Sequence, residues 1–199
     1  MSIEKLQEDI GGIDIYVLDQ ILKQRYAQKE VILDAGCGSG RNIKWFYNHN
    51  YTLYGVDSLE NRIVEVQEKY PEQKNHFSVQ NLDSLPFREH FFDHVICCAV
   101  LHFAANTIHF KRMVAELFRV LKPGGSLLIR MASNFGMENV VKPISDGVYL
   151  LPDTTNRFLL TRDLLAYLEH HFSFSYLEPL KTVNVNNIRC MSTLVFTKK

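Results

Sequence analysis

Asp34, Gly36, Gly38, Gly40 and Asp57 are the residues whose types and spacing could do chemistry. Glycines at alternate positions behind a carboxylate let backbone N–H groups press close to a ligand, because glycine has no Cβ and accepts positive φ. A helix start behind them leaves further N–H donors without intrahelical partners. The turn therefore implies a ligand, and its spacing limits which one. A dinucleotide fingerprint reads G-x-G-x-x-G and a phosphate-binding P-loop ends in Gly-Lys-Ser/Thr. Here the third glycine arrives one residue early and Arg41-Asn42 follow Gly40, so neither phosphate motif fits. Asp57 stands 21 residues after Gly36, close to the distance at which an α/β nucleotide fold sets an acid on two ribose hydroxyls. The other role open to Asp57 is to cap the helix that begins behind Ser58.

His102 follows a later apolar run, at the strand end where open α/β sheets place ligands, and a histidine's usual pKa suits proton transfer near neutrality. It is a candidate base or acceptor-orienting group, the alternative being a ring packed under a neighbouring loop. His94, at the beginning of the same run, reads as structural. Cys37, Cys97, Cys98 and Cys190 lack C-x-x-C spacing and the eight histidines are scattered, which argues against disulfides and against any metal. A reducing cytoplasm is expected. Lys+Arg and Asp+Glu are both 22, so the basic footprint of a nucleic-acid binder is missing. The N-terminus has neither a secretory pattern nor a myristoylation glycine, and no apolar stretch approaches membrane length; the chain is expected to be soluble and unexported.

The elements that must position these residues follow from apolar spacing. Residues 1–10 are polar and expected to fray. Ile13, Tyr16, Val17, Ile21 and Leu22 mark a helix to about Tyr26, either a plain cover for the sheet or a cap with Gly11-Gly12 as hinge and Tyr16 in the pocket. Val31–Asp34, Thr52–Asp57, His76–Gln80, Phe92–Cys98 and Ser126–Met131 read as strands, with helices between them and Lys122-Pro123-Gly124-Gly125 as a turn. This alternation implies a doubly wound, mostly parallel sheet with helices on both faces. Residues 132–158 lose periodicity and read as a lid or substrate loop. Thr161 then caps a helix to His170-His171. Phe172–Leu180 and Cys190–Thr197 read as an antiparallel hairpin turning at Asn184–Asn187. The chain divides into a helical cap (1–28), a core (29–131), a substrate segment (132–160) and a C-terminal helix and hairpin (161–199), all within one domain.

Five features agree in order: Asp34-x-Gly36-x-Gly38-x-Gly40, Asp57, Asn81-Leu82-x-x-Leu85-Pro86-Phe87, Phe92-Asp93-x-Val95 leading to Val100-Leu101-His102, and Leu121-Lys122-Pro123-Gly124-Gly125. Together they resemble the small class I S-adenosylmethionine-dependent methyltransferases, of the type 11 kind, closely over about residues 31–131. The ending Gly38-Ser39-Gly40-Arg41-Asn42 is similar to that of thiopurine and tellurite-resistance methyltransferases. The resemblance implies an α/β Rossmann-like methyltransferase fold of seven strands with an antiparallel C-terminal strand. It implies S-adenosyl-L-methionine as cofactor, with S-adenosyl-L-homocysteine as product. It sets Gly36, Cys37 and Gly38 against the methionine part, Asp57 on the ribose, Asn81 on the adenine amino group and the Leu82 N–H toward a ring nitrogen. Ser58 stands where the family usually has an apolar residue stacking on adenine, Cys98 and Ala99 offer carbonyls, and Asp34 and Asn42 complete the cofactor set. Tyr16, His102, Arg130 and Asn134 are the candidate substrate residues. The acceptor is expected to be a small molecule in a mostly apolar pocket walled by Phe135, Met137, Val140, Val141, Val148, Tyr149, Leu150 and Leu151. Against that stands a possible convergence of Arg130, Lys142, Arg157 and Arg162 to clamp a carboxylate. Nucleic acid is disfavoured as partner, no membrane is expected, and the chain is expected to be a monomer or homodimer. An RNA or protein methyltransferase, or a non-catalytic domain of this fold, are the alternatives.

Overall fold

The computed structural model describes residues 2–199; Met1, the first residue of the segment expected to fray, lies outside them. In chain order the first half holds α1 (Ile3–Ile10), α2 (Ile15–Leu22), β1 (Val31–Ala35), α3 (Lys44–Asn48), β2 (Thr52–Asp57), α4 (Glu60–Lys69) and β3 (Phe77–Val79). Then come β4 (Phe92–Cys98), α5 (Thr107–Val120), β5 (Leu121–Ala132), β6 (Lys142–Ser145), β7 (Val148–Leu150), β8 (Asn156–Phe158), α6 (Arg162–His171), β9 (Phe174–Tyr176), β10 (Lys181–Val185) and β11 (Arg189–Lys198).

The main sheet runs β10-β11-β5-β4-β1-β2-β3, with β9 pairing β11 to bring it to eight strands. Strands β1 to β5 pair in parallel, and β11 runs antiparallel beside β5. Alternating apolar residues bury both faces, as a parallel sheet covered by helices requires. Leu33, Val95 and Leu127 pack with Phe110, Val114 and Leu117 of α5. Their neighbours Ile32, Ile96 and Leu128 pack on the other face with Val17 of α2 and Val66 of α4. The fold is the doubly wound α/β architecture expected from the alternation.

Five expectations need correction. Residues 3–10 form a helix instead of fraying, capped by Ser2, although it buries none of its residues. Helix α2 stops at Leu22, short of Tyr26, where the chain turns through Gln24 at φ +55°. Lys122–Gly125 lies inside β5, because Leu121 already pairs with Phe92 and a register shift before His94 absorbs the irregular stretch. Residues 132–158 are no aperiodic loop: β6, β7 and β8 form a small antiparallel sheet. Their strands of three or four residues are too short to display a period of two. The hairpin is also displaced, since β10 pairs with β11 while β9 pairs with the opposite end of β11.

Candidate functional site

A cavity of about 610 Å³ opens beyond the carboxyl ends of β1, β2 and β4. β1 pairs with β2 on one side and β4 on the other, so this is the reversal of strand order where open α/β sheets bind ligands. The glycine turn forms its floor. Gly36 and Cys37 donate their N–H groups to the Val56 carbonyl at 2.8 and 2.9 Å, pinning the turn to β2. Gly36 has φ +86° and a Cβ there would overlap the Val100 side chain. Gly38, at φ +52°, has nothing around its absent Cβ, so a side chain there would enter the cavity that Gly38 lines.

Asp57 reaches the same cavity. Its Oδ2 accepts the Gly38 N–H at 2.9 Å and its Oδ1 accepts the Leu59 N–H at 3.0 Å. The carboxylate therefore organises the turn ahead of α4, and each oxygen retains capacity for a further donor. Cys37, Asn42, Ser58, Asn81, Leu82, Cys98 and Ala99 also line the cavity. Asn42 does so with its amide oxygen committed to the Asp14 N–H at 3.0 Å, tying the start of α2 to the glycine turn. Ala99 is held at φ +62° and donates its N–H to the Arg130 carbonyl at 2.7 Å. A non-glycine residue in the left-handed region stores strain of roughly 1–2 kcal/mol. Asp34 is the exception among the expected ligand residues, because it is wholly buried outside the cavity lining and neither oxygen has a hydrogen-bond partner. Burial first, and Asp57 to a lesser degree, push its carboxyl up to about 7 against the opposing pull of Arg41. Sequence reasoning missed Leu59, which lines the cavity with 56 % of its surface exposed, one residue beyond the expected adenine neighbour Ser58.

A second cavity of about 200 Å³ adjoins the first, Ala99 lining both. His102, Arg130, Asp153, Arg157 and Arg189 supply its polar wall, with Ala132, Leu151 and Met191 between them. This wall is more polar than the mostly apolar acceptor pocket expected from the sequence. Met137, Val141 and Leu151 turn inward to a small core with Ala132, Leu159 and Cys190, and Phe135 joins the main core. Of the four basic residues considered for convergence, Arg130 and Arg157 meet here, whereas Lys142 and Arg162 do not line the cavity. Arg189 takes their place, unflagged because its neighbours in sequence read as a polar turn.

His102 is buried in a short 3-10 turn, and its Nδ1 accepts the Ala132 N–H at 3.4 Å. Burial first, then the charges of Arg157 and Arg130, pull its pKa down to about 4, which corrects the expectation of an ordinary histidine. Arg130 bonds Asp14 Oδ2 at 3.1 Å and stands 5.4 Å over the Tyr16 ring. Tyr16 itself lines a separate shallow groove with Lys181, and Asn134 lines neither cavity, its Oδ1 being buried without a partner. Neither lines the smaller cavity. His94 sits away from the cavities, bonded to Ser126 Oγ and Glu30 Oε2 at 2.7 Å each. Among the described residues no cluster could hold a metal ion, and no helix is long and apolar enough to cross a membrane.

Comparison with known proteins matches residues 33–129 to the methyltransferase domain family. tRNA (carboxymethyluridine(34)-5-O)-methyltransferase of Arabidopsis thaliana is 38% identical over 99 residues, covering 50% of this chain and 23% of that protein. tRNA N(3)-cytidine methyltransferase METTL2 of Danio rerio is 27% identical over 165 residues, covering 76% of this chain and 46% of that protein. The chain spans less than half the length of either relative. The solved structure of Burkholderia thailandensis 1,6-didemethyltoxoflavin-N1-methyltransferase, with bound 1,6-didemethyltoxoflavin and S-adenosylhomocysteine, aligns with a TM-score of 0.69 at 19% identity, covering 98% of this chain and 82% of that one. At that identity the likeness establishes the fold.

Proposed function

We propose, from the match of residues 33–129 to the methyltransferase domain family, that the chain is a class I S-adenosylmethionine-dependent methyltransferase and transfers a methyl group to a small molecule seated in the smaller cavity. The observation that carries this reading is the pair of adjoining cavities sharing Ala99. The larger one fits the cofactor: the open space over Gly38 accommodates the methionine part, and Asp57 has spare acceptor capacity for the ribose. Ser58 and Leu59 would flank the adenine, Asn81 and the Leu82 N–H would meet its edge, and the Cys98 and Ala99 carbonyls would receive the amino group of the methionine part. When bound, the cofactor supplies a methyl carbon made electrophilic by its sulfonium. The chain's own contribution is alignment of the acceptor, and such positioning is worth roughly 7–11 kcal/mol. With Nδ1 accepting from Ala132, the His102 ring proton lies on Nε2, so His102 orients the acceptor by donating a hydrogen bond. We assign 1–28 as a helical cap, 29–131 as the cofactor-binding core, 132–160 as the acceptor segment and 161–199 as the C-terminal helix and hairpin. The four buried free cysteines fit a reducing cytoplasm.

A tRNA acceptor is the second reading, favoured by the two relatives named for tRNA; the net charge of zero weighs against it. Labelled cofactor incubated with a metabolite extract and with total RNA separates the two. Label in the small-molecule fraction supports the first reading, and label in RNA alone rejects it. His102 should contribute no limb to the rate between about pH 6 and 8, because it is neutral throughout. A limb near pH 6.5 assignable to His102 would restore it as the base.

A further inference from the structure

The smaller cavity has a character that methyl transfer alone does not require. Arg130, Arg157 and Arg189 line it together. Arg130 is neutralised by Asp14 and its Nε is buried without a partner. Arg157 is held in place by stacking 5.0 Å over Phe103 and by donating to the Asn156 carbonyl at 2.8 Å. Among the described residues neither Arg157 nor Arg189 forms a salt bridge, and Asp153 is the lone carboxylate on the wall. Its Oδ1 is occupied by the Thr155 N–H and hydroxyl at 3.0 and 2.6 Å. Those bonds, with Arg157 and Arg189 nearby, hold Asp153 below the usual carboxylate range. The wall therefore has a positive excess, and Arg157 within it is held in place before a ligand enters.

The same wall has no group fitted to remove a proton. The Nδ1 of His102 is used by Ala132, and Asp153 is bonded and acidified. An acceptor seated here must bring a lone pair that is available without a base, and among such groups an arginine wall selects an anion of planar, two-oxygen geometry. The two observations meet in one chemical class. Resting on the methyltransferase reading above, we propose that the acceptor is a small carboxylic acid, held by Arg157 and Arg189 with Arg130 behind them, and that its carboxylate is the group methylated. A lone pair of the carboxylate oxygen forms the new C–O bond, the methyl carbon's bond to sulfur breaks with its electron pair left on sulfur, and no proton is moved. A sulfonium and a carboxylate become a thioether and a neutral methyl ester. The neutral product no longer matches the arginines, which favours its release.

The test uses the full chain, labelled cofactor and a metabolite extract, with the products treated with alkali. Methyl esters release the label as volatile methanol, whereas N-, S- and ether-linked methyl groups retain it. Volatile label from the small-molecule fraction is expected. Arg157→Gln and Arg189→Gln should each lower kcat/KM for that acceptor roughly 10- to 150-fold, the loss of one charge-assisted hydrogen bond, while calorimetry gives unchanged affinity for S-adenosylhomocysteine. As a readout apart from turnover, benzoate should raise the melting temperature of the S-adenosylhomocysteine complex more than benzamide does, and the double variant should lose that difference. Alkali-stable label, label confined to RNA, no incorporation by protein that binds S-adenosylhomocysteine, or equal responses to benzoate and benzamide would overturn the proposal. Absence of S-adenosylhomocysteine binding would instead reject the methyltransferase reading on which it rests.

Discussion

Asp57 serves the turn and the cavity at once, and the two duties separate in their consequences. Replacing it with alanine removes a charged acceptor from two expected ribose hydroxyls and frees the Gly38 and Leu59 N–H groups. Charge-assisted bonds are worth about 1.5–3 kcal/mol each before compensation by water. Asp57→Ala should therefore weaken S-adenosylhomocysteine binding by roughly 2–4 kcal/mol, measurable by calorimetry. An unchanged dissociation constant would confine Asp57 to the turn. Asp34 makes a different prediction, because its environment is dry and unpaired. Burial lifts its folded carboxyl from 3.8 to about 7. A group raised in this way favours folding fully below its unfolded value, loses that contribution as pH climbs from about 4 to 7, and contributes no more change above. Asp34→Asn should thus gain stability relative to the parent between pH 4 and pH 8, by up to about 4 kcal/mol. Equal denaturation midpoints for the pair at both pH values would mean that Asp34 is ionised without penalty.

Among the elements, those with long-range apolar spacing were legible in the sequence and those built from short or local signals were not. The helical spacing of Phe110, Met113, Val114, Leu117 and Phe118 announced α5, and the apolar blocks ending at Asp34 and Asp57 announced β1 and β2, with Asp57 reaching the cavity. Segments β6, β7 and β8 stayed hidden because each has too few residues for a period and because β6 is exposed throughout. The polar wall of the smaller cavity was correspondingly hidden: apolar residues of 132–158 pack into a small core of their own, and Arg189 enters the wall through the pairing of β11 with β5, a contact distant in sequence. This ordering revises what a protease should see. Helix α1 buries no side chain, so limited proteolysis of the free protein should cut within residues 3–12 well before 142–158, where strand pairing must open first. Earlier cleavage between β6 and β8 would show that the small sheet opens readily and return it to the role of a lid.

For the molecule as a whole, the central claim is that the sheet's reversal point between β1 and β4 accepts a sulfonium nucleoside and rejects a dinucleotide. The glycine spacing removes the phosphate-binding geometry, Asp57 is pre-set by two backbone donors, and Gly38 leaves open space at the floor. Zero net charge gives no long-range pull on a polyanion, so selection rests on this local fit. Isothermal titration of the full chain with S-adenosylhomocysteine and, separately, with NAD addresses it most directly. Saturable one-site binding of S-adenosylhomocysteine and no detectable heat from NAD is the predicted result; saturable NAD binding without S-adenosylhomocysteine binding would contradict it.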